Sequence, residues 1–337
     1  MLMAAGLGTR LRPFSDRIAK PLVPLMGVPC AQFAVDALIS AGAGNIVANI
    51  HHLPESTSEG MQALDLHGAR LQLSDESSEL LGSAGGVRQA LGLLGDGPFF
   101  SANADVLCSI DWSALGRAHA RLRSQWGVSM TLALMPIPRD AAEDYRAISL
   151  DPSGTRITGL GGKGRTGMMY VGCAVFEREA YAMLKPGRAA EFVPEVLEPA
   201  IRAGRAGAYI MPSDTPWIWM DVGSPQLWWR AHIELIERLE TGTLPDAWRR
   251  RIESAAIRRG QRMWVGRHLR GRLDLSDSAG PLFWDALTVD RLHPRGSIHL
   301  SPGMVVYGEP PAEAGGAGIG ALGFWSPVDP LRVPGVS

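Results

Sequence analysis

Residues 1–25 read MLMAAGLGTRLRPFSDRIAKPLVPL. A short apolar strand, residues 1–5, runs at once into Gly6–Arg12, a stretch with two glycines and two arginines. Pro13, Lys20 and Pro21 follow. Glycines let backbone amides approach an anion closely, and guanidinium forks suit a polyphosphate. The loop therefore reads as an anion cradle, although a glycine turn with solvated arginines fits the same residues. Two familiar phosphate loops do not fit. The P-loop ending Gly-Lys-Ser/Thr is absent, and the dinucleotide fingerprint needs glycine at position 11, where this chain has Leu11.

Outward from this loop the chain alternates strands and helices. AQFAVDALISAG (31–42) sets Phe33, Ala37, Leu38 and Ala41 on one helical face and stops at glycine. NIVANI, ARLQLS and GPFFSANAD read as strands, EGMQALDL, AGGVRQALGLLG and DWSALGRAHARLRS as helices, and VSMTLALMP alternates with period two. Such repeats predict a doubly wound α/β domain with a mixed, mostly parallel sheet and helices on both faces. Ligands then sit beyond the carboxyl ends of the strands. Gly6–Arg12, Gly82–Gly86 and Asn103–Asp105 all fall at such ends. After residue 137 the pattern is less regular. It closes on SPQLWWRAHIELIERLETG, with Ser224 as N-cap, Pro225 at the first helical position and Gly242 past the end.

Bulk properties exclude several classes. With 33 basic and 34 acidic residues in 337, net charge is −1, which gives no overall bias toward nucleic acid or membrane. No apolar run approaches the roughly 20 residues of a membrane span, and no signal peptide is evident, so a cytoplasmic protein is expected. Cys30, Cys108 and Cys173 are scattered, without metal-ligand spacing. Lys20, Lys163 and Lys185 are the only lysines beside 30 arginines.

GLGTRLRP followed by KPLVP resembles the opening of the sugar-1-phosphate nucleotidyltransferases, the NDP-sugar pyrophosphorylases. LLGSAGGV, SANADV and WMDVGSP resemble that family's L-G-T-A-G, N-G-D and W-x-D-V-G-T-P segments, in family order over residues 1–240. ANIHHLPE is similar to mannose-1-phosphate guanylyltransferases. The resemblance implies a Rossmann-like fold and transfer of a nucleotidyl group from an NTP to a sugar-1-phosphate, releasing pyrophosphate. Two unit charges at ~4 Å repel by about 4 kcal/mol at an effective dielectric near 20, so such chemistry calls for cations.

By resemblance, Ala5, Gly6, Gly8 and Thr9 cradle the triphosphate. Arg10 holds the β- and γ-phosphates, and Lys20 reaches the α-phosphate. Asp105 and Asp221 hold Mg²⁺. Gly85 and Gly86 let the base pack on backbone, and Glu79 reads its edge. Asn103, Lys163 and Gly172 serve the sugar phosphate. Gly162 stands where the family has an acidic residue before the lysine. Gly172 also fits a strand bulge. Arg10, Lys20 and Asp105 form the expected catalytic set. The expected partners are an NTP and a sugar-1-phosphate, with no nucleic acid and no membrane.

Three other features have plainer readings. His51 and His52 are adjacent and read as a packed or capping pair. Trp217, Trp219, Trp228 and Trp229 read as core, with a sugar-stacking wall as the alternative. Nine arginines against Glu253 in residues 249–272 read as a solvated or subunit-facing stripe. The expected organisation is a catalytic domain (1–240), a linker (241–256), a β-rich segment (257–310) and a flexible Gly/Pro-rich tail (311–337). The β-rich segment resembles a degenerate left-handed β-helix, with WVG and VVYG as its best remnants, and is expected to pack on the catalytic domain or to form a homo-oligomer. Guanylyl transfer to mannose-1-phosphate is the favoured activity. Uridylyl transfer to an N-acetylmuramate- or glucose-type 1-phosphate is the alternative, and a non-catalytic nucleotide-sugar sensor is the alternative of another class.

Overall fold

A computed structural model of the chain describes residues 1–214 and 217–260, and beyond them the strands Met263–Gly266, Leu282–Asp285, Val305–Tyr307, Gly318–Ile319 and Phe324–Trp325. The chain divides into two compact units. The first is Met1–Leu7, Ala19–Leu22 and Ala31–Trp219; the second is Gly8–Ile18, Val23–Cys30 and the residues from Met220 onward.

The first unit is built on nine strands: β1 (Leu2–Met3), β2 (Asn45–Ile50), β3 (Arg70–Asp75), β4 (Phe99–Asn103), β5 (Met130–Pro136), β6 (Ile148–Leu150), β7 (Ile157–Leu160), β8 (Met168–Phe176) and β9 (Ala206–Ile210). They run in the order β7-β6-β8-β4-β1-β2-β3, with β5 pairing β8 and β9. The β4-β1-β2-β3 half is parallel, as the strand–helix repeats require. β8 is antiparallel to β4, β5 and β6, and so turns the sheet mixed. Period-two alternation sends Leu2, Ile46, Ala48 and Ala102 into one core and Met1, Val47 and Phe99 into another. Helices α1 (Cys30–Ser40) and α4 (Trp112–Trp126) cover the first core through Val35, Leu38, Trp112 and Leu115, and α3 (Gly82–Ala90) covers the second through Ala84, Val87 and Ala90. Helix α2 (Pro54–Gln62) connects β2 to β3. Leu2 and Leu115 are fully buried, each contributing about 1.5–3 kcal/mol. Asp111 caps α4 by accepting from Ala114 N at 2.9 Å, and Gly127 ends it in the left-handed region at φ 64°.

The second unit centres on α5 (Pro225–Thr241), which has the ends the sequence predicts. Ser224 Oγ accepts from Leu227 N at 3.3 Å, and Gly242 closes the helix at φ 69°. Its apolar face meets the hairpin Pro24–Leu25/Val28–Pro29, where Trp228 Nε1 donates to Pro24 O at 2.8 Å. The expected linker 241–256 is instead largely helix α6 (Asp246–Ala255), which buries Trp248 and Ile252 one turn apart. Arg249 pairs with Asp246 and Glu253 across the exposed side of that helix. The arginine run hides this i, i+4 apolar pair from a composition reading.

Beyond α6, Ala256–Gly260 pairs antiparallel with Met263–Gly266, which pairs parallel with Leu282–Asp285, which in turn pairs parallel with Val305–Tyr307. WVG and VVY are thus strands. They lie at either end of a parallel stack, the pairing that successive β-helix coils require. Within the run expected to be flexible, Gly318–Ile319 pairs antiparallel with Phe324–Trp325. The remaining residues of the expected 257–310 and 311–337 segments lie outside the described residues.

Candidate active site

At the carboxyl ends of β1, β2 and β4 the first unit opens a cleft of about 270 Å³. Met3 to Gly6 form one wall, and Leu80, Gly82 and Ser83 form another. Asn49 and Asn103 to Asp105 lie at the strand ends, with Lys20 and Pro21 completing the lining. Five of the residues singled out from sequence therefore meet here: Ala5, Gly6, Lys20, Asn103 and Asp105. Lys20 Nζ donates to Asp105 Oδ2, and both side chains are largely withdrawn from solvent. A cation and a carboxylate thus sit beside glycine-rich backbone. The first turn of α3 adds the positive end of a helix dipole to the same cleft. Ser83 Oγ donates to Glu191 Oε2 at 2.6 Å and accepts from Phe192 N at 2.8 Å, which fixes that turn.

Gly172 lies under this cleft at φ 84°, where β8 slips register between Tyr170 and Ala174. A Cβ there would stand 3.0 Å from Asn103 Nδ2, so the bulge makes room for the Asn103 side chain. Gly85 and Gly86 are buried within α3. A Cβ on Gly85 would meet Arg188 O at 2.6 Å, and one on Gly86 would meet Glu76 Oε1 at 2.3 Å. Protein packing alone therefore demands both glycines. Glu79 is exposed and is not part of the cleft lining. Lys163 is exposed on the loop between β7 and β8, also away from the lining.

Gly8, Thr9, Arg10 and Asp221 belong to the second unit. Gly8 takes φ 64°, its carbonyl accepting from Leu11 N at 2.8 Å and Ser15 Oγ at 2.7 Å, which winds Thr9–Leu11 into a single tight turn. Arg10 and Asp221 converge at Gly223, where a Cβ would stand 2.9 Å from both Arg10 Nη2 and Asp221 Oδ1. A side chain at Gly223 in WMDVGSP would have to displace one of these two charged groups.

Sequence reasoning missed Asn49 and Glu76. Asn49 Nδ2 donates to Glu76 Oε1 at 2.8 Å, and both residues are almost fully buried. Burial pushes the Glu76 carboxyl above its usual range, against the pull of its hydrogen bonds. The available signal was a polar residue inside the apolar strand NIVANI. His51 Nδ1 lies 2.6 Å from Glu76 O, a packed role as expected. Trp219 donates to Val171 O at 3.0 Å and packs edge-on to Tyr145, and Trp228 is buried against Phe14, so both serve the core.

A profile described as nucleotidyl transferase matches residues 1–238. The chain belongs to that family. It is 30% identical over 224 residues to an N-acetylmuramate α-1-phosphate uridylyltransferase of Neisseria meningitidis serogroup B, covering 66% of this chain and 92% of the relative. It is 25% identical to a UTP–glucose-1-phosphate uridylyltransferase of Synechocystis sp. (68% of this chain, 61% of the relative). The same identity links it to a mannose-1-phosphate guanyltransferase of Emericella nidulans (67% and 61%). Among solved structures, HddC from Yersinia pseudotuberculosis complexed with GMP-PN aligns with a TM-score of 0.57 at 20% identity, over 69% of this chain and 97% of that one. An apo UDP-glucose pyrophosphorylase aligns at 0.55 and 18%, over 70% and 97%. These two share the fold. The nucleotidyl transferase is thus a sugar-1-phosphate nucleotidyltransferase by family, with a nucleoside triphosphate and a sugar-1-phosphate as substrates.

Enzymes of this family generally use divalent metal ions. Among the described residues, no cluster of three or more His, Cys, Asp or Glu side chains could hold a metal by itself. A hard cation that keeps its waters and takes one or two carboxylates plus substrate phosphates needs no such cluster. Asp105, a strand-end carboxylate facing the cleft, fits that donor set. No helix among the described residues is long and apolar enough to cross a membrane.

Proposed function

We propose that this enzyme transfers a uridylyl group from UTP to an N-acetylmuramate-type hexosamine 1-phosphate, in the cytoplasm. The observation that carries this is the match to the Neisseria uridylyltransferase over nearly all of that relative's length. The exposed loop GGKGRTG supports it, because Lys163 and Arg165 offer cations to a sugar that bears a carboxylate as well as a phosphate. Guanylyl transfer to mannose-1-phosphate, favoured from sequence, is the second reading. The histidine motif and the stacked parallel strands after residue 256 favour it.

In this reading an oxygen of the sugar phosphate attacks the α-phosphorus in line. The new P–O bond forms as the bond to the bridging oxygen breaks, and pyrophosphate leaves. Backbone at Ala5 and Gly6 orients the triphosphate, and the sequence resemblance assigns Gly8 and Thr9 to the same phosphates. Arg10 takes charge on the departing pyrophosphate, and Lys20 takes charge at the α-phosphate. Asn103 orients the sugar phosphate. Asp105 is the carboxylate for Mg²⁺, and the sequence resemblance assigns Asp221 to the same ion. Bound there, Mg²⁺ would neutralise phosphate oxygens as charge builds.

The test is pyrophosphate release from UTP, GTP, CTP, dTTP and ATP, each against N-acetylmuramate-, glucose- and mannose-1-phosphate. The UTP and N-acetylmuramate pair should lead in kcat/KM by about tenfold or more. Dominance of GTP with mannose-1-phosphate would establish the second reading instead. Lys163→Ala should raise the sugar-phosphate KM about tenfold and change kcat less than about threefold, because the contact is already made in the ground state. An unchanged KM would remove Lys163 from the sugar site.

A further inference from the structure

We propose that Asn49 and Glu76 are a positioning pair that holds the two backbone walls of the nucleotide cleft at their working separation; the proposal rests on the cleft binding the NTP. The β1–β2 ladder ends where Met3 faces Asn49. The next amide, Ala4 N–H, has left the ladder and enters the phosphate loop. Asn49 Oδ1 accepts from it at 2.9 Å, so a side chain continues the ladder by one bond. Because Ala4 N–H is a donor, the amide of Asn49 must turn its oxygen there and its nitrogen toward Glu76. Asn49 Nδ2 accordingly donates to Glu76 Oε1 at 2.8 Å. Leu81 N–H, at the start of α3, donates to Glu76 Oε2 at 3.2 Å. Glu76 therefore has to accept at both oxygens, which an ionised carboxylate does and a neutral amide cannot.

Ala4 lies in one wall of the cleft, and Leu81 lies between Leu80 and Gly82 of the other. A chain of three hydrogen bonds thus ties wall to wall beneath the substrate. Gly86 closes over it, since any side chain there would strike both Glu76 and Asn49. Buried networks of this kind are rigid when complete and costly when broken.

The donor logic supplies its own test. In Asn49→Asp two carboxylates face each other with no donor between them. In Glu76→Gln the new amide must set its nitrogen against Asn49 Nδ2 or against Leu81 N–H. The double variant, Asn49→Asp with Glu76→Gln, restores every bond with the donor and acceptor exchanged and the net charge unchanged. Each single variant should raise the KM and the calorimetric Kd for UTP and GTP by about tenfold or more, with the sugar-phosphate KM moving less than about threefold, and the double should return to within about threefold of the parent. Amide hydrogen exchange at Ala4 and Leu81 reads the pair without nucleotide. It should quicken in each single variant and recover in the double. Single variants that melt earlier yet keep the NTP KM would show a merely structural pair and overturn the proposal, as would a double variant no better than the two singles combined. Failure of the functional reading shows separately, as a parent protein that binds no NTP. The exchange data then still decide whether the pair ties the walls.

Discussion

Asp105→Ala should lower kcat by about two to three orders of magnitude, the scale on which single electrostatic groups act in a dry site. Asp105 stands two residues past the end of β4, where the parallel half of the sheet delivers its side chains to the cleft. Its carboxylate faces Lys20 and is a quarter exposed, so removing it opens no core cavity. The fold should survive, with a circular dichroism melt close to that of the parent. What is lost is the negative partner that sets Lys20 and, in the proposed mechanism, the protein oxygen for Mg²⁺. Asp105→Asn keeps the shape and removes the charge, so it should be impaired nearly as much and should need more Mg²⁺ for half-maximal rate. Near-normal turnover by either variant at saturating Mg²⁺ would take Asp105 out of the catalytic machinery. Asp221→Asn, tested in the same way, judges the second carboxylate by itself.

Local patterns made half of this site legible. Gly6, Asn103 and Asp105 sit in short motifs at or just past strand ends, and a parallel sheet gathers strand ends without further information; Lys20 is legible through the KPLVP motif instead. The helix-terminal Gly242 and the Ser224 cap act within a few residues of themselves, so they too are readable. An apolar run marks β8 as a strand but carries no direction, so its antiparallel pairing with β4 and β5 could not be read from it. The Asn49–Glu76 pair joins residues 27 apart through a donor count that no local pattern encodes. Gly85 and Gly86 invite a ligand explanation because a sequence shows missing side chains but not the neighbour that forbids them. Here the neighbours are Arg188 O and Glu76. Glu79 is exposed, and the carboxylate packed against Gly86 is that of Glu76.

Acid should destabilise the second unit through a single buried imidazole. His232 is wholly buried on α5, its ring 4.4 Å from Trp228. Met26 N–H donates to His232 Nε2 at 3.1 Å, which makes that nitrogen an acceptor. His232 Nδ1 lies 3.0 Å from Trp228 O, an acceptor, so this nitrogen carries the proton. The neutral tautomer is therefore fixed, and a second proton would point N–H at N–H. The bond also secures a strained turn, since Met26 takes φ 49° at the tip of the Pro24–Leu25/Val28–Pro29 hairpin. Burial drives the imidazole pKa from 6.5 down to about 3. Above pH 6.5 neither the native nor the unfolded chain protonates this group, and its contribution is constant. Between 6.5 and about 3 the unfolded chain takes up a proton that the native chain refuses, so stability falls by about 1.4 kcal/mol per pH unit from this residue. From pH 6.5 to 5 that is about 2 kcal/mol, a large share of a typical domain's stability. His119, buried beside Glu177 in the first unit, is shifted in the same direction by burial and adds to the loss there. His232→Gln keeps a donor and an acceptor but does not titrate. Urea unfolding followed by tryptophan fluorescence at pH 7.5 and pH 5 should show a shallower pH dependence in the variant, by about 2 kcal/mol. Equal pH dependence in both proteins would mean that His232 takes up its proton in the folded state.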